Sequence, residues 1–342
     1  MRVAVATGDG VTIRDVAARA GVSIATVSRV LRGTTPVTPP TRDRVLAAVA
    51  ELGFRPSALG RSLAEGRHAA NGIVFPDLSG PYYAEVVLGY EEAAGELGRS
   101  VLILSTHGRP AAPDMVRELA GRVDGLVVLG RTVSDDVVTE IAARNVPIVL
   151  LARPAPGAVD SVKAENVESA AKLTEHLVEH GHRSFVFLGD ADSSPDTVER
   201  WSGFRAALEA AGLEPPEAPM PAGLREEEGV RVAAELAADE LPDAVVCAND
   251  ELALGLLAGL RRAGIDVPRQ VAVTGWDDVM AARYAGLTSV RQPMRELGAH
   301  AARLLDLRIR GDAEAARHEV LPTELVVRDS CGPHPHSSLD DS

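Results

Sequence analysis

Carboxylates, an amide and aromatic rings recur just after short apolar runs in residues 70–330. Asp77, Leu78, Ser79, Gly80, Pro81, Tyr82 and Tyr83 follow Ile73 to Phe75, and Asp190 and Asp192 follow Phe185 to Leu188. Asn249 and Asp250 follow Ala244 to Cys247, and Trp276, Asp277 and Asp278 follow Val271 to Val273. Acids and amides exchange hydrogen bonds with hydroxyl groups while rings cover an apolar sugar face, so together these residues suit a polyol. Each acid alone has a plainer use, because Asp190 and Asp250 can cap the helices that follow.

A second chemistry sits near the start of the chain. Ile24, Ala25, Ser28 and Arg29 project from the outer face of a short amphipathic segment, away from a Val27, Val30, Leu31 stripe. Arginine reads guanine bidentately and apolar groups meet thymine methyls, so such a face fits a major groove. Other chemistries lack their motifs. There is no GxSxG elbow, no GxGxxG after the first body strand and no GxxxxGK[ST] loop; only Lys163 and Lys172 are lysines. His176, His180 and His182 lack the zincin glutamate and read as cations near a helix end, so no metal, cofactor or enzymatic activity is expected.

Thr12 caps a first helix that holds Ile13, Val16, Ala17 and Ala20, with Asp15 completing a carboxylate capping box and Gly21 ending it. Val22 and Ser23 make the turn, and Ser23 caps the second helix. Two short helices joined this way form a helix-turn-helix. A third, from Thr38, Pro39 and Pro40 to Leu52, covers both with Val45, Val49 and Leu52. The following SALGRSLAEG is too short to be a stable helix alone and is expected to fold only against DNA or a partner. Its Leu59 and Leu63 form an i,i+4 apolar pair, suited either to a dimer contact or to insertion between base steps.

From residue 70 onward, about seven apolar runs alternate with helical patterns such as Tyr83 to Leu97 and Ala170 to Glu179. That rhythm predicts two doubly wound parallel sheets and a bilobal α/β body whose ligand lies beyond the strand ends. Charge divides the chain in the same way. Residues 1–68 carry ten arginines against five acids, net +5, which leaves −19 for residues 69–342 of the overall −14. A basic head on an acidic body is the footprint of one domain meeting phosphate. Cys247 and Cys331 imply no disulfide framework, and the tail from Cys331 to Ser342 shows no heptad and is expected to be disordered. MRVAVATGDG has no signal-peptide core and no run is long enough to span a membrane, so a cytoplasmic protein without membrane contact is expected.

VTIRDVAARAGVSIATVSRVLRG, then TRDRVLAAVAELGFRPSALGRSLAEG, resembles the DNA-binding head of the LacI repressor family. The likeness continues in NGIVFPDLSGPYYAEVVLGYEEAA, HLVEHGHRSFVFLGD, ERWSGFRAAL, CANDELALGLL, VAVTGWDD, TSVRQP and LPTELVVRDS. It implies that Ile24, Ala25 and Arg29 read bases, that Ser23, Thr26 and Ser28 hold phosphates, and that Leu63 is the minor-groove wedge of a hinge helix, with Leu59 beside it. Arg32 stands where the family usually has Asn and adds a phosphate contact; Thr12 completes the DNA-facing set. For the periplasmic-binding-protein-like body, the resemblance implies that Arg200, Asn249 and Asp277 contact the effector while Trp276 and the loop of Leu78, Ser79, Tyr82 and Tyr83 line the cleft. Leu224 falls near a position where the family often stacks a ring on sugar, leaving room for a smaller, modified or non-sugar effector, with a sugar as the expected class.

The expected organisation is a head at 1–56, a hinge helix and linker at 57–68, a body at 69–330 and a tail at 331–342. The N-lobe is expected at about 70–165 and 293–323 and the C-lobe at about 166–292 and 324–330, and the resemblance implies three crossovers between them, near Lys163 to Glu168, Val290 to Pro293 and Pro322 to Val326. The function these features imply is a homodimeric DNA-binding transcriptional regulator, expected to be a repressor, that binds a palindromic operator and is switched by a small molecule between the lobes. A solute-binding protein shares the bilobal body but has no use for the head, and an enzyme would need a nucleophile or base constellation that is not present.

Overall fold

The computed structural model describes residues 11–32, 36–54, 68–190, 194–312 and 315–332. Leu59, Leu63, Asp192 and the side chain of Arg32 lie outside the described set. The chain divides into two compact units, residues 1–68 and 69–342.

In the first unit α1 (Ile13–Ala20), α2 (Ile24–Arg32) and α3 (Pro39–Leu52) enclose Val16, Ala17, Ala20, Val27, Val45 and Ala48. The Asp15 carboxylate accepts from the backbone N–H and the hydroxyl of Thr12, at 2.8 and 2.7 Å, which fixes the start of α1. Gly21 ends it at φ +65°, a conformation that glycine adopts without steric cost. The backbone N–H of Thr26 donates to Ser23 Oγ at 3.2 Å, which starts α2. Arg19 and Glu51 join α1 to α3 at 2.6 Å.

The second unit contains two sheets. One has the order β10-β5-β4-β3-β1-β2, where β1 is Ala70–Phe75, β2 Ser100–Ser105, β3 Gly125–Leu129, β4 Ile148–Leu151, β5 Asp160–Ala164 and β10 His318–Leu321. All its ladders are parallel. It is flanked by α4 (Pro81–Glu96), α5 (Ala112–Ala120), α6 (Asp135–Ala143) and α12 (Met294–Arg310). The other has the order β11-β9-β8-β7-β6, where β6 is Phe185–Leu188, β7 Ala244–Cys247, β8 Ala272–Asp277, β9 Thr288–Arg291 and β11 Glu324–Val326. β11 runs antiparallel on β9, and the remaining ladders are parallel. Its helices are α7 (Val167–Glu179), α8 (Pro195–Ala210), α9 (Glu226–Leu236), α10 (Asp250–Arg262) and α11 (Met280–Tyr284). The chain passes between the lobes at Glu165–Asn166, at Gln292–Pro293 and at Pro322–Thr323.

Two readings of the sequence need correction. The sequence predicts about seven strands and eleven are described, because β5, β9, β10 and β11 carry polar residues that break the apolar pattern. Cys331 does not begin a loose tail. It is fully buried in a 3-10 turn, Asp329–Cys331, and receives a hydrogen bond on its carbonyl from His182 Nε2 at 3.0 Å. His180 Nδ1 bonds the His176 carbonyl at 2.7 Å, so these imidazoles serve the helix end and the terminal turn. No helix among the described residues is long and apolar enough to cross a membrane.

Each lobe seats a pair of helices on glycine. In the first, α4 and α12 approach so closely that a Cβ on Gly298 would lie 2.1 Å from the Val86 carbonyl oxygen and one on Gly89 would lie 2.0 Å from that of Arg295. Backbone, unlike the end of a flexible side chain, cannot move aside. Gly298→Ala is therefore expected to destabilise the 69–342 unit by about 2–4 kcal/mol. Thermal unfolding followed by circular dichroism checks this, and an unchanged midpoint would refute the close helix crossing.

Candidate functional site

The exposed side of α2 and the cleft of the body are separate sites in separate units, and each is described by itself. On α2, Ile24 is 45% exposed, Ala25 and Arg29 are exposed, and Ser28 is half-buried. Val27 is fully buried on the opposite face, with Val30 and Leu31 packed beside it. Ser23 Oγ and Thr26 Oγ1 share a hydrogen bond of 2.9 Å at the helix start, where backbone N–H groups and the helix dipole favour an anion. Thr12 lies exposed at the start of α1. The residues expected to face DNA thus stand on the outside of the three-helix unit wherever their side chains are described.

The body holds a cavity of about 330 Å³ between its two lobes. The N-lobe wall comes from the segments after β1, β3 and β4: Asp77, Ser79, Gly80, Tyr82 and Tyr83, then Leu129 to Arg131, then Ala152. The C-lobe wall comes from Ser194, Asp196 and Arg200 on and before α8, from Leu224 and Arg225 before α9, from Asn249 and Glu251 around the start of α10, and from Asp277 at the end of β8. Gln292, in the second crossover, completes it. Strand ends converge here because all strands but β11 run parallel within their sheets, which brings their carboxyl ends toward the same gap.

The structure sorts the acids that the sequence grouped together. Asp250 is fully buried; its oxygens accept from the backbone N–H of Val279 at 2.8 Å and from Ser289 Oγ at 2.7 Å. Asp278, also buried, takes Arg291 Nε at 2.8 Å and Arg328 Nη2 at 2.5 Å. Both are occupied inside the C-lobe. Asp277 is different. Its backbone has φ +111°, a strained value for a residue with a side chain, and its carboxylate lines the cavity, where Oδ1 accepts from Gln292 Nε2 at 2.5 Å. Burial pushes the Asp277 carboxyl up to about 7, partly offset by the nearby Arg200 guanidinium and the Gln292 hydrogen bond.

Arg200 is 5% exposed. Its Nε donates to Asn166 Oδ1 at 2.9 Å and its Nη1 to the Ala248 carbonyl at 2.6 Å, while Nη2 lies 3.8 Å from Asp196 Oδ2. The guanidinium also lies 4.5 Å from the centroid of the Trp276 ring. Trp276 therefore does not line the cleft as expected: it is 1% exposed and forms the floor beneath Arg200. Leu78 is also absent from the wall and is 43% exposed, although its neighbours Asp77 and Ser79 line the cavity. Asn249 N-caps α10 through Oδ1, at 3.1 Å from the Leu252 N–H, and donates from Nδ2 to the Leu224 carbonyl at 2.9 Å. It thereby places Leu224, which has no ring to stack.

Several wall residues were missed in the sequence: Asp196, Arg225, Glu251 and Gln292. Gln292 lies in the TSVRQP segment but carries no charge to mark it. Arg225 pairs with Asp77 across the gap between the lobes, and Glu251 packs so closely on Gly80 that a Cβ there would lie 2.3 Å from its Oε1. Gly80 sits at φ +101°, a backbone conformation that glycine adopts without steric cost. The backbone N–H of Ser79 at 2.8 Å holds the Asp77 carboxyl below its usual range, with Arg225 helping. Burial raises Asp196 and, by a wide margin, the Tyr82 phenol. Tyr82 Oη and Gln292 Oε1 are buried at the wall with no hydrogen-bond partner, and a buried polar atom in that state favours any ligand that supplies one. Among the described residues no group of three or more His, Cys, Asp or Glu side chains is placed to hold a metal ion.

A helix-turn-helix unit followed by a two-lobed body with a cavity between its lobes defines a class of ligand-responsive DNA-binding proteins. Residues 12–57 match the family model "Bacterial regulatory proteins, lacI family", and residues 174–331 match "Periplasmic binding protein-like domain". The HTH-type transcriptional regulator CelR of Thermobifida fusca is 35% identical over 93% of this chain and 98% of its own. A lac repressor dimer bound to operator and the anti-inducer ONPF is similar over 94% of this chain and 99% of that chain, with a TM-score of 0.83 and 28% identity. A CelR–cellobiose complex covers the same shares, with a TM-score of 0.71 and 34% identity. The chain belongs to the LacI family of bacterial transcriptional regulators.

Because the folded-state value of Asp277 lies above its unfolded value, the stability it contributes is present below about pH 4 and is lost as pH rises through about 7. Asp277→Asn is accordingly expected to stabilise the body at pH 8 by about 1–2 kcal/mol, an advantage that shrinks between pH 7 and 5. Melting temperatures of both proteins across that range give the answer, and a constant difference would rule out an up-shifted Asp277.

Proposed function

We propose that this regulator is a repressor that binds a palindromic operator as a homodimer and changes its affinity when a sugar or sugar derivative occupies the interlobe cavity. The observation that carries the effector half of this reading is the wall set of Arg200, Asp277 and Gln292, with Tyr82 Oη and Gln292 Oε1 unpartnered. Hydroxyl groups both donate and accept, so a polyol satisfies a guanidinium, a carboxylate and an amide oxygen together. The cellobiose of the CelR complex supports the same chemical class. Leu224 in place of a stacking ring favours an effector held chiefly by its hydroxyls.

In this reading residues 1–56 form the DNA-binding head, 57–68 the hinge with Leu59 and Leu63 as its apolar pair, and 69–330 the effector-binding and dimerisation body. Ile24, Ala25 and Arg29 read bases, while Thr12, Ser23, Thr26, Ser28 and Arg32 hold phosphates. The protein acts in the cytoplasm, on double-stranded DNA, without catalysing a reaction. Effector and DNA then bias one lobe arrangement against another, so whichever ligand weakens the other is itself weakened to the same degree.

Selection of bound duplexes from a random DNA pool by the full-length protein tests the head. An enriched inverted repeat is expected. Arg29→Ala is expected to cost about 1–3 kcal/mol at one position of each half-site and to relax preference there. Preference unchanged at every position would remove Arg29 from the base-reading set. Thermal-shift screening with cellobiose and a panel of neutral mono- and disaccharides tests the cavity. A sugar that raises the melting temperature and alters affinity for the selected duplex is expected, with the response abolished in Asp277→Ala. No response from any sugar would overturn the effector class.

A further inference from the structure

Residue 166 is the N-cap position of α7, where an Asn side chain commonly accepts a hydrogen bond from the first turn. Here the cap is supplied by its neighbour. The Glu165 carboxylate accepts from the backbone N–H groups of Glu168 at 2.7 Å and Ser169 at 2.8 Å, and Asn166 makes no capping bond. The Asn166 amide, 1% exposed, turns instead toward Arg200 and Asp196, which line the cavity. Oδ1 accepts from Arg200 Nε at 2.9 Å; Nδ2 is shared among the Ala164 carbonyl at 3.2 Å, Asp196 Oδ1 at 3.1 Å and Glu199 Oε2 at 3.1 Å.

Asn166 stands in the first crossover between the lobes. Glu199, on α8 of the C-lobe, also takes the ammonium of Lys163, on β5 of the N-lobe. A continuous set of contacts therefore runs from the N-lobe sheet through Glu199 and Asn166 to the guanidinium at the cavity wall. Asn166 and the Ala248 carbonyl occupy Nε and Nη1 of Arg200, and Trp276 lies against its face at 4.5 Å. The orientation of Nη2 follows from those three.

We propose that Asn166 is a positioning residue of the effector site, which sets the plane of Arg200 from within the interlobe crossover and makes that setting depend on the angle between the lobes. The assignment rests on the effector reading above and goes beyond it, because it puts the link between ligand and lobe angle on one amide. A purely structural Asn would cap α7 or pack against the crossover, and its loss would move stability without moving Arg200.

The test uses the full-length protein in a Trp201→Phe background, which leaves Trp276, of the two tryptophans, as the single emitter under Arg200. Two variants are compared. Asn166→Ala removes both functions of the amide. Asn166→Asp keeps the acceptor for Arg200 but places a carboxylate against Asp196 and Glu199 of α8, with Lys163 of β5, Arg200 and Asp277 of β8 as the other charged groups nearby. Trp276 emission and its quenching by acrylamide are read without ligand, and cellobiose affinity is read by calorimetry from pH 8 to pH 5.5.

In Asn166→Ala, Trp276 emission is expected to shift, quenching to increase and cellobiose affinity to fall at least tenfold. In Asn166→Asp the affinity falls similarly at pH 8, and its ratio to wild type recovers as the pH drops, because a protonated Asp regains the donor that Asn provides. Trp276 emission and affinity unchanged in both variants, or a pH-independent ratio for Asn166→Asp, would overturn the proposal. If cellobiose does not bind the wild-type protein, the effector reading is what fails for this sugar. The ligand-free Trp276 signal still decides whether Asn166 holds Arg200, and the isosteric Asp variant serves if the Ala variant does not fold.

Discussion

A guanidinium taken out of water must be given partners, and the cleft is organised around how Arg200 obtains them. Leaving such a charge unpaired costs several kcal/mol, so each contact constrains the element that supplies it. The Ala248 carbonyl fixes the end of β7, Asn166 fixes the first crossover, Asp196 fixes the start of its own helix, and the Trp276 ring fixes the end of β8. These elements are far apart in sequence and meet only because a parallel sheet brings its carboxyl ends to one edge. Asp277, one residue beyond Trp276, is held at a positive φ in that same edge and stays protonated more readily than an ordinary carboxyl. Strain and desolvation are shared by acids that do not face the cavity, since Asp278 also has a positive φ and burial raises Asp250 as well, but those two are fully engaged in holding the scaffold while Asp277 faces the cavity.

The parts legible in the sequence were those that a short window can express. The head was readable because its capping box, its Gly21 turn and its Val27 stripe are local signals, each within a few residues of the helix it defines. The seven apolar strands were readable for the same reason. β5 and β9 were not, since a buried strand reading DSVKA or TSVR looks polar until its partners are known. Asp160 is matched by Arg308, which comes 148 residues later, and Thr288 by the carbonyl of Arg328, 40 residues later. A polar residue that is satisfied by a distant partner leaves no periodic trace.

The candidate site shows the same division. Strand-end residues that reach the cavity directly, such as Asp77 and Asp277, follow from the rule that ligands bind beyond the carboxyl ends of parallel strands. Trp276 was read as a wall because aromatic rings often cover sugars, but in the structure the ring faces the cation beside it, and a sequence does not indicate which of two partners a ring will take. Cys331 looks like tail in the sequence because its neighbours are polar. Its burial depends on Thr288 and on the imidazoles of His176 and His182, contacts made across more than forty residues. Gln292 and Asn166 are uncharged and stand in crossovers, where neither helical nor strand periodicity applies.

Those crossovers are where binding can be converted into motion. Two lobes joined by three segments can rotate only as the segments allow, and a ligand shifts that equilibrium only by the difference in its affinity for the arrangements. In two of the three segments a side chain reaches from the crossover to a wall residue: Asn166 to Arg200, and Gln292 to Asp277. Across the gap itself, Asp77 with Arg225 and Glu251 against Gly80 join the two walls directly. In the reading proposed above, a ligand that engages Arg200 and Asp277 acts on groups tied directly to two of the three crossover segments, so coupling it to the lobe angle requires no long pathway through the core.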